Sequence, residues 1–362
     1  MAMVKAPFNG QLNSNEIFGS IYNMIISQQV FADNIKGMYG ELVGKVKTDG
    51  SMYGDTKLFY ATDALKSRPW LNDAEAANLL AVNRPKDPEC QAITLDQFRQ
   101  IDITVDNYLS KRAWGTEGAF SNFNSVILGW IRTTKQIYEA TLINSYMGTV
   151  ETAAPKASLQ IPVSNIVGST TGEEANKLEA MAIAQGLADL FVDMKDVSRD
   201  YNDYKFLRSY DLNDLYVVWN SKFVNKIRKV DLPTVFHKDG LIDKFEEYIL
   251  PTRYFGTVNT TTGSGNGTTI RSLVEKDYGD THVFPGDLVP SGESYAANET
   301  YTVDENIICK VFHRDSVKFM SAFEVGTSFF NPRSLTENHY LTWGYSKPDY
   351  LKNYPIVSVH KD

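Results

Sequence analysis

Hydrophobic residues recur with different periods along this chain, and each change of period marks an element. Between about 42 and 112 the period is two. Ile101, Ile103 and Val105 alternate with Asp102, Thr104 and Asp106, which predicts a strand with one covered face. Lys57-Leu58-Phe59-Tyr60 predicts an earlier strand that pairs with it, making a long two-stranded excursion. Within it, Asn72 is placed to cap a short helix over Asp73–Val82, with Pro69, Pro85 and Pro88 as breakers on either side. The preceding residues, 1–41, mix Asn, Gly and Ser with one apolar cluster running from Ile17-Phe18 to Val30-Phe31, and read as an irregular arm carrying a short helix.

From 121 to 147 the period lengthens to that of a helix. Phe123, Ile127, Trp130/Ile131, Thr134, Ile137/Tyr138 and Leu142 return every three or four positions, and Gly148 is read as the stop. At about 1.5 Å per residue this helix is roughly 40 Å long. A strand is predicted over Ala157–Val163. A capping box of Thr171 and Glu174 then opens a helix through Lys195, whose buried face is assigned to Leu178, Met181, Ala182, Ala188 and Phe191.

Leu215-Tyr216-Val217-Val218-Trp219 is a continuous apolar strand, and Asn220-Ser221 is placed to cap a helix after it, giving a strand-helix step of a mixed sheet. Ile307–Phe312 is a second buried strand. Between them, residues 257–269 hold six Thr, three Gly, two Asn, one Ser and one Val. That composition predicts a surface loop, within a wider insertion from Gly256 to Asn306. Strand signals return in His339–Tyr345 and Pro355–Val359, and no internal repeat is apparent.

Composition narrows the class. The 362 residues are 43% hydrophobic and include 20 Tyr, 19 Phe and 5 Trp, enough apolar material for about two compact units with sizeable cores. The formal net charge of -8 argues against a protein that grips nucleic acid over its whole surface. The two cysteines, Cys90 and Cys309, belong to no Cys-x-x-Cys unit, so a reducing compartment fits. The beginning of the chain lacks the apolar core of a signal peptide, and runs such as Val126-Ile127-Leu128 are far too short to span a bilayer. The expected place is the cytosol.

Candidate chemistry is sparse. No Gly-x-x-x-x-Gly-Lys-Ser/Thr loop occurs, and Gly263-Ser264-Gly265-Asn266-Gly267 neither follows a strong strand nor opens a helix. His237, His282, His313, His339 and His360 are scattered, with no pair four residues apart to share a metal. His313-Arg314-Asp315 reads as a charged turn after a buried strand. No Gly-x-Ser-x-Gly elbow is present, and Cys90 reads as an inert small side chain. The pairs Glu173-Glu174 and Glu246-Glu247 fall where helices are predicted, the first complementing a helix N-terminus. Three Asn-x-Thr sequons, at Asn259, Asn266 and Asn298, reflect the Thr and Asn richness of the insertion. No catalytic, cofactor-binding or metal site is expected.

The order of parts is more telling. An arm, a long hairpin excursion, a long helix, a capped helix, a strand-helix step and a return of aromatic strands follow one another. Particular runs sharpen the pattern: Trp114 through Phe120-Ser121-Asn122-Phe123, Arg199-Asp200-Tyr201-Asn202 before Leu207-Arg208-Ser209-Tyr210, Leu215 to Asn220, and Lys229-Val230-Asp231-Leu232-Pro233. Ile307 to Phe319, Asn331-Pro332-Arg333-Ser334-Leu335 and Tyr340-Leu341-Thr342-Trp343 continue it. Over most of residues 42–362 the chain resembles the major capsid proteins of tailed phages, the Hong Kong 97 type fold, and in particular those of phi-29-like short-tailed phages of Gram-positive hosts.

The resemblance implies an α+β fold of this type. Its parts would be an N-terminal arm (1–41), an extended loop that overlaps a neighbouring subunit (42–112), a peripheral domain with a spine helix (113–198, completed by 316–350) and an axial domain (199–315, completed by 351–362) carrying the insertion 256–306. It also implies a non-enzymatic protein that self-assembles as hexamers and pentamers into an icosahedral head shell enclosing double-stranded DNA. The partners implied are further copies of itself, a separate scaffolding protein, a portal protein and a head fibre or decoration protein. Packaged DNA would lie on the inner face without sequence specificity, and no membrane is involved. The place would be the virion head, and the host cytoplasm during assembly. Candidate inter-subunit contacts are Lys57, Phe59, Arg68, Trp70, Arg84, Ile101, Ile103 and Arg112, and the candidate peripheral core is Trp114, Phe123, Ile127, Trp130, Tyr138 and Trp343. The alternatives are a phage tail or receptor-binding protein, suggested by the Thr/Gly/Asn-rich loop and the high Tyr content, and an enzyme with a dispersed site.

Overall fold

A computed structural model describes residues 40–48, 50, 54–70, 82, 84–106, 117–224 and 246–362, with backbone alone at 117–125, 127, 128 and 323. The expected arm, all but the last residue of the expected helix 73–82, Arg112, Trp114 and His237 therefore lie outside the described residues, as do the side chains of Phe123 and Ile127.

The chain divides into two units. One takes Met1–Met38, Phe98–Ile137 and Phe323–Gly344, and the other Tyr39–Gln97, Tyr138–Ala322 and Tyr345–Asp362. The described elements begin with helix α1 (Glu41–Val46) and strands β1 (Lys47–Thr48), β2 (Thr56–Ala61) and β3 (Glu89–Asp106). Helix α2 (Glu117–Thr149), strand β4 (Ser158–Ile161) and helices α3 (Val163–Val167) and α4 (Glu173–Lys195) follow. Strands β5 (Leu215–Asn220) and β6 (Glu246–Leu250) come next.

In the second unit, a five-stranded sheet runs in the order β4, β18 (Ile356–Lys361), β14 (Ile307–His313), β5, β6. The outer pairs β4–β18 and β5–β6 are parallel and the inner pairings antiparallel, so the sheet is mixed. Every residue of β5 and β14 is buried. That is why both segments read as mostly apolar instead of alternating, with Lys310 the one charged side chain within β14. The core of this sheet gathers Ile183, Leu187, Leu190, Phe191 and Met194 of α4 with Val217 and Trp219 of β5 and Val311 of β14. Each such side chain contributes about 1.5–3 kcal/mol by leaving water. The buried stripe of α4 is Ala180, Ile183/Ala184, Leu187, Leu190/Phe191 and Met194. It leaves the expected Met181 half exposed, because the Ala-rich helix carries two stripes of equal spacing and the one with the larger side chains turns inward.

The second sheet has the order β1, β15 (Val317–Asn331), β16 (Thr336–Ser346), β3, β2, with β17 (Asp349–Tyr350) paired to β15. In β3 the odd positions turn inward on both sides of Gln97, from Gln91 to Leu95 and from Arg99 to Val105, so the alternation first seen at residues 101–106 is interrupted only where Asp96, Gln97 and Phe98 are all exposed. In the first unit, Ile131, Val105, Leu341 and Trp343 are buried and Trp130 is half-buried. There Gln100 Nε2 donates to Thr342 Oγ1 (2.9 Å) and Thr104 Oγ1 to Asn338 Oδ1 (2.7 Å). Tyr138 belongs to the second unit, where its hydroxyl meets that of Tyr345 at 2.7 Å.

Four further expectations are corrected. Gly148 does not stop the long helix, which continues to Thr149. A Cβ at 148 would lie 2.0 Å from the carbonyl oxygen of Tyr254, so glycine is there to let another segment approach. Thr171 does not cap α4. The chain enters the helix through Gly172 at φ +78°, and no side chain caps its first turn. Glu246-Glu247 is not helical but starts the edge strand β6, where exposed charges are tolerated.

The Thr/Gly-rich segment is more than a loop. Residues 256–303 form seven short strands: β7 (Gly256–Val258), β8 (Gly263–Ser264), β9 (Ile270–Ser272), β10 (Lys276–Tyr278), β11 (Thr281–Val283), β12 (Ser294–Tyr295) and β13 (Thr300–Val303). They enclose a small core of Tyr278, Val283 and Val289. The glycines make this possible, since a Cβ at Gly256 would sit 2.2 Å from the Thr302 carbonyl oxygen and one at Gly265 2.4 Å from that of Pro290.

Candidate assembly surfaces

Strand β2 pairs antiparallel with the first part of β3, from Thr56 opposite Thr94 to Ala61 opposite Glu89. Its inward residue Phe59 packs against the cluster of Ile93, Leu95, Met320 and Leu351. Lys57 is half-buried on the same face, and the outward positions are Leu58 and Tyr60, both exposed. Ile101 and Ile103 are half-buried in β3.

Beyond β2 the chain is pinned at its root. Asp63 accepts from the Leu207 amide (2.9 Å), from Arg199 Nη1 (2.7 Å) and from the amide of Ala64 (2.8 Å). The Leu207 bond, then the Arg199 guanidinium, holds the Asp63 carboxyl down at about 2. Arg208 donates to the carbonyl of Thr62 and, through Nε, to Asn353 Oδ1 (3.3 Å). On the returning strand, Gln91 Nε2 donates to the Tyr350 carbonyl (2.7 Å) and Gln91 Oε1 accepts from the Lys352 amide (3.1 Å).

Past this root the side chains turn to solvent. Leu65 is 78% exposed, Trp70 87% and Val82 78%, while Arg68 and Arg84 are exposed as well. Large apolar groups left in water mark an interaction surface. The first unit has a similar feature where Phe329, Phe330 and Leu335 stand exposed about the turn between β15 and β16. Sequence reasoning named Trp70, Arg68 and Arg84 but missed Leu58, Tyr60, Leu65, Val82 and this turn. The outward parity of β2 was the available signal for the first two.

The polar groups elsewhere are structural. His282 sits between Glu275 (Nε2 to Oε1, 2.9 Å) and Asp277 (Nδ1 to Oδ1, 2.6 Å), and the Asp277 bond raises its pKa. His313 stacks on Tyr354 at 4.5 Å, and burial lowers its pKa. The Cys309 thiol is buried and pushed far up by desolvation, and Cys90 is exposed. Among the described residues no three His, Cys, Asp or Glu side chains are grouped to hold a metal ion, and no helix is long and apolar enough to cross a membrane.

Comparison with protein families matches residues 3–347 to the Phi29-like phage major capsid protein family. The chain belongs to that family. No curated protein matches it. Among solved structures, the chain is similar to one in the capsid of Staphylococcus phage Andhra, with TM-score 0.57 and 12% identity over 88% of this chain and 83% of that one. A chain from the structure of the head fibre and inner core protein of native bacteriophage P68 gives TM-score 0.61 and 12% identity over 99% and 90%. One from the mature capsid of bacteriophage PhiM1 gives 0.50 and 8% over 99% and 92%. This Phi29-like major capsid protein thus has the mixed helix-and-sheet fold of phage capsid subunits, and its exposed apolar groups are surfaces of a protein that works in a shell.

Proposed function

We propose that this subunit builds an icosahedral head of the Hong Kong 97 type as hexamers and pentamers enclosing double-stranded DNA, and that residues 42–112 are its extended loop. The observation that carries the reading is the excursion itself: fixed at Asp63 and Gln91, it presents Leu65, Trp70 and Val82 almost fully to water. Among the described residues nothing covers these side chains within the subunit, and large apolar groups left in water mark an interaction surface, so a neighbouring copy is the natural cover. One heterologous contact repeated around a ring closes it, and such rings tile a shell.

In this reading α2 is the spine of a peripheral domain (113–198, completed by 316–350) that also supplies β4, and the other four strands of the five-stranded sheet belong to the axial domain (199–315, completed by 351–362). Assembly is non-enzymatic and uses a separate scaffolding protein, a portal and a head fibre or decoration protein. It takes place in the host cytoplasm, and DNA is held on the inner face without sequence readout. The net charge of -8 is compatible with a container that must release a polyanion.

Replacing residues 64–85 by a short Gly-Ser turn tests the assignment, because it removes the exposed Leu65, Trp70 and Val82 and leaves the paired strands β2 and β3 in place. The truncated protein is expected to stay soluble and folded by circular dichroism, while electron microscopy shows no closed shells when it is expressed with the scaffolding protein of the same genome. Closed shells from the truncated protein would remove the excursion from the assembly mechanism.

A further inference from the structure

Strand β4 is an outer strand of the five-stranded sheet; among the described residues no strand pairs with its other edge, which faces a groove. The carbonyl of Ala157 accepts from the Ser358 amide (2.8 Å) and that of Ile161 from the Asp362 amide (3.3 Å), so these residues direct their backbone toward β18. In a strand successive residues alternate. Ser158 and Gln160 therefore turn their N–H and C=O groups away from the sheet, into a groove of about 920 Å³.

Helix α4 forms the opposite wall. It approaches β4 closely, since a Cβ at Gly186 would come within 2.8 Å of Ile161. Asp189, Val192, Asp193 and Asp196 line the groove from positions spaced three to four apart on one helix face. Asp193 is engaged by Lys156 Nζ (2.5 Å) and the Tyr201 hydroxyl (2.5 Å), and these bonds lower its pKa. Asp189 makes no ion pair with any described residue, and Lys156 is shared with Asp200 at 3.5 Å. The groove is thus net negative. Its rim is apolar, with Ile166 44% and Val192 66% exposed.

We propose that this groove receives an extended, basic segment of a partner protein, which adds as a sixth strand to the edge of β4. An open edge supplies main-chain hydrogen bonds, and flanking pockets choose alternate side chains. Here the pockets ask for cationic side chains toward Asp189 and Asp196, alternating with aliphatic ones toward Ile166 and Val192. A second copy of this chain, at net charge -8, brings like charge to an acidic groove and is the poorer occupant. The groove lies within one subunit, so the proposal goes beyond the shell reading and does not depend on it.

The test uses the purified full-length protein and a fluorescein-labelled peptide, Lys-Val-Arg-Ile-Lys-Val-Arg, followed by fluorescence anisotropy. Saturable binding is expected, weakened by about tenfold or more in Gln160→Pro, in Asp189→Lys, and with a peptide N-methylated at alternate residues. Gln160→Pro removes an outward N–H and leaves the ladder to β18 intact, so the thermal midpoint should hold. Asp189→Lys, an exposed change, gives the answer if the proline variant misfolds. Absence of saturable binding, equal binding by both variants, or equal binding of the N-methylated peptide or of Glu-Val-Glu-Ile-Glu-Val-Glu overturns the proposal.

Discussion

The ammonium of Lys310, fully buried in β14, donates to the carbonyl of Val150 (2.8 Å), the first residue past the end of the 33-residue helix α2. The last turn of that helix carries no basic residue of its own, so a strand supplies the cation that its C-terminal dipole favours. Burial makes this costly and lowers the Lys310 pKa to about 8, against a raising influence of Glu151 and Asp304.

A pH dependence follows. The unfolded lysine keeps its proton up to 10.5 while the folded one releases it near 8. Between those values the unfolded state holds more protons, so stability rises with pH, by about 3 kcal/mol from this group. Urea denaturation across that range should show the rise in the wild-type protein and lose it in Lys310→Met. An unchanged slope in the variant would remove Lys310 as its source.

Asp63 behaves in the opposite sense. Its folded pKa of about 2 lies below the ordinary 3.8. Its contribution is complete above pH 3.8 and disappears as pH falls toward 2. The protection of the Leu207 amide, taken relative to its intrinsic exchange rate at each pH, should fall across that window, and the Leu207 amide of Asp63→Asn should exchange quickly at neutral pH while the Val217 amide, in the middle of the sheet, stays protected.

Gly148→Ala tests the helix-to-segment approach. The added Cβ meets the Tyr254 carbonyl at 2.0 Å, backbone that cannot swing aside. The expected cost is about 1–3 kcal/mol, read as a lower thermal midpoint. Gly129→Ala, in the same helix with open space around it, should not lower the midpoint.

Trp70→Ala combined with Leu65→Ala separates assembly from folding. Both side chains are nearly fully exposed in the subunit, so subunit stability should change by less than about 0.5 kcal/mol. Shell yield by sedimentation should fall sharply if these are interface anchors worth about 2 kcal/mol or more.

Much of this architecture was legible in local pattern. The alternation Ile101, Ile103, Val105 found β3, and the apolar runs at Leu215 and Ile307 found the two fully buried strands. Asn220 caps as expected, its Oδ1 accepting from the Lys222 amide at 3.1 Å. What local pattern missed depends on distant neighbours. Gly148 carries the same letter whether it ends a helix or admits the Tyr254 carbonyl. The inward stripe of α4 is decided by the sheet beneath it. The 15-residue strand β15 was not read as a strand from its own pattern, which Gly326-Thr327-Ser328 interrupts. Asp63 looks like any loop aspartate until Arg199 and Leu207 are brought to it, and only the outward parity of Leu58 and Tyr60 hinted at which face of the excursion is free.

The place of β18 in the five-stranded sheet also sets a timetable. Residues 356–361 lie between β4 and β14 and pair with both, so of all the described strands the last to be synthesised occupies an interior position. Until it leaves the ribosome, β4 has no partner in the sheet and the groove beside it has no floor. However much of the excursion has already emerged, the five-stranded sheet closes only when residues 356–361 insert between β4 and β14.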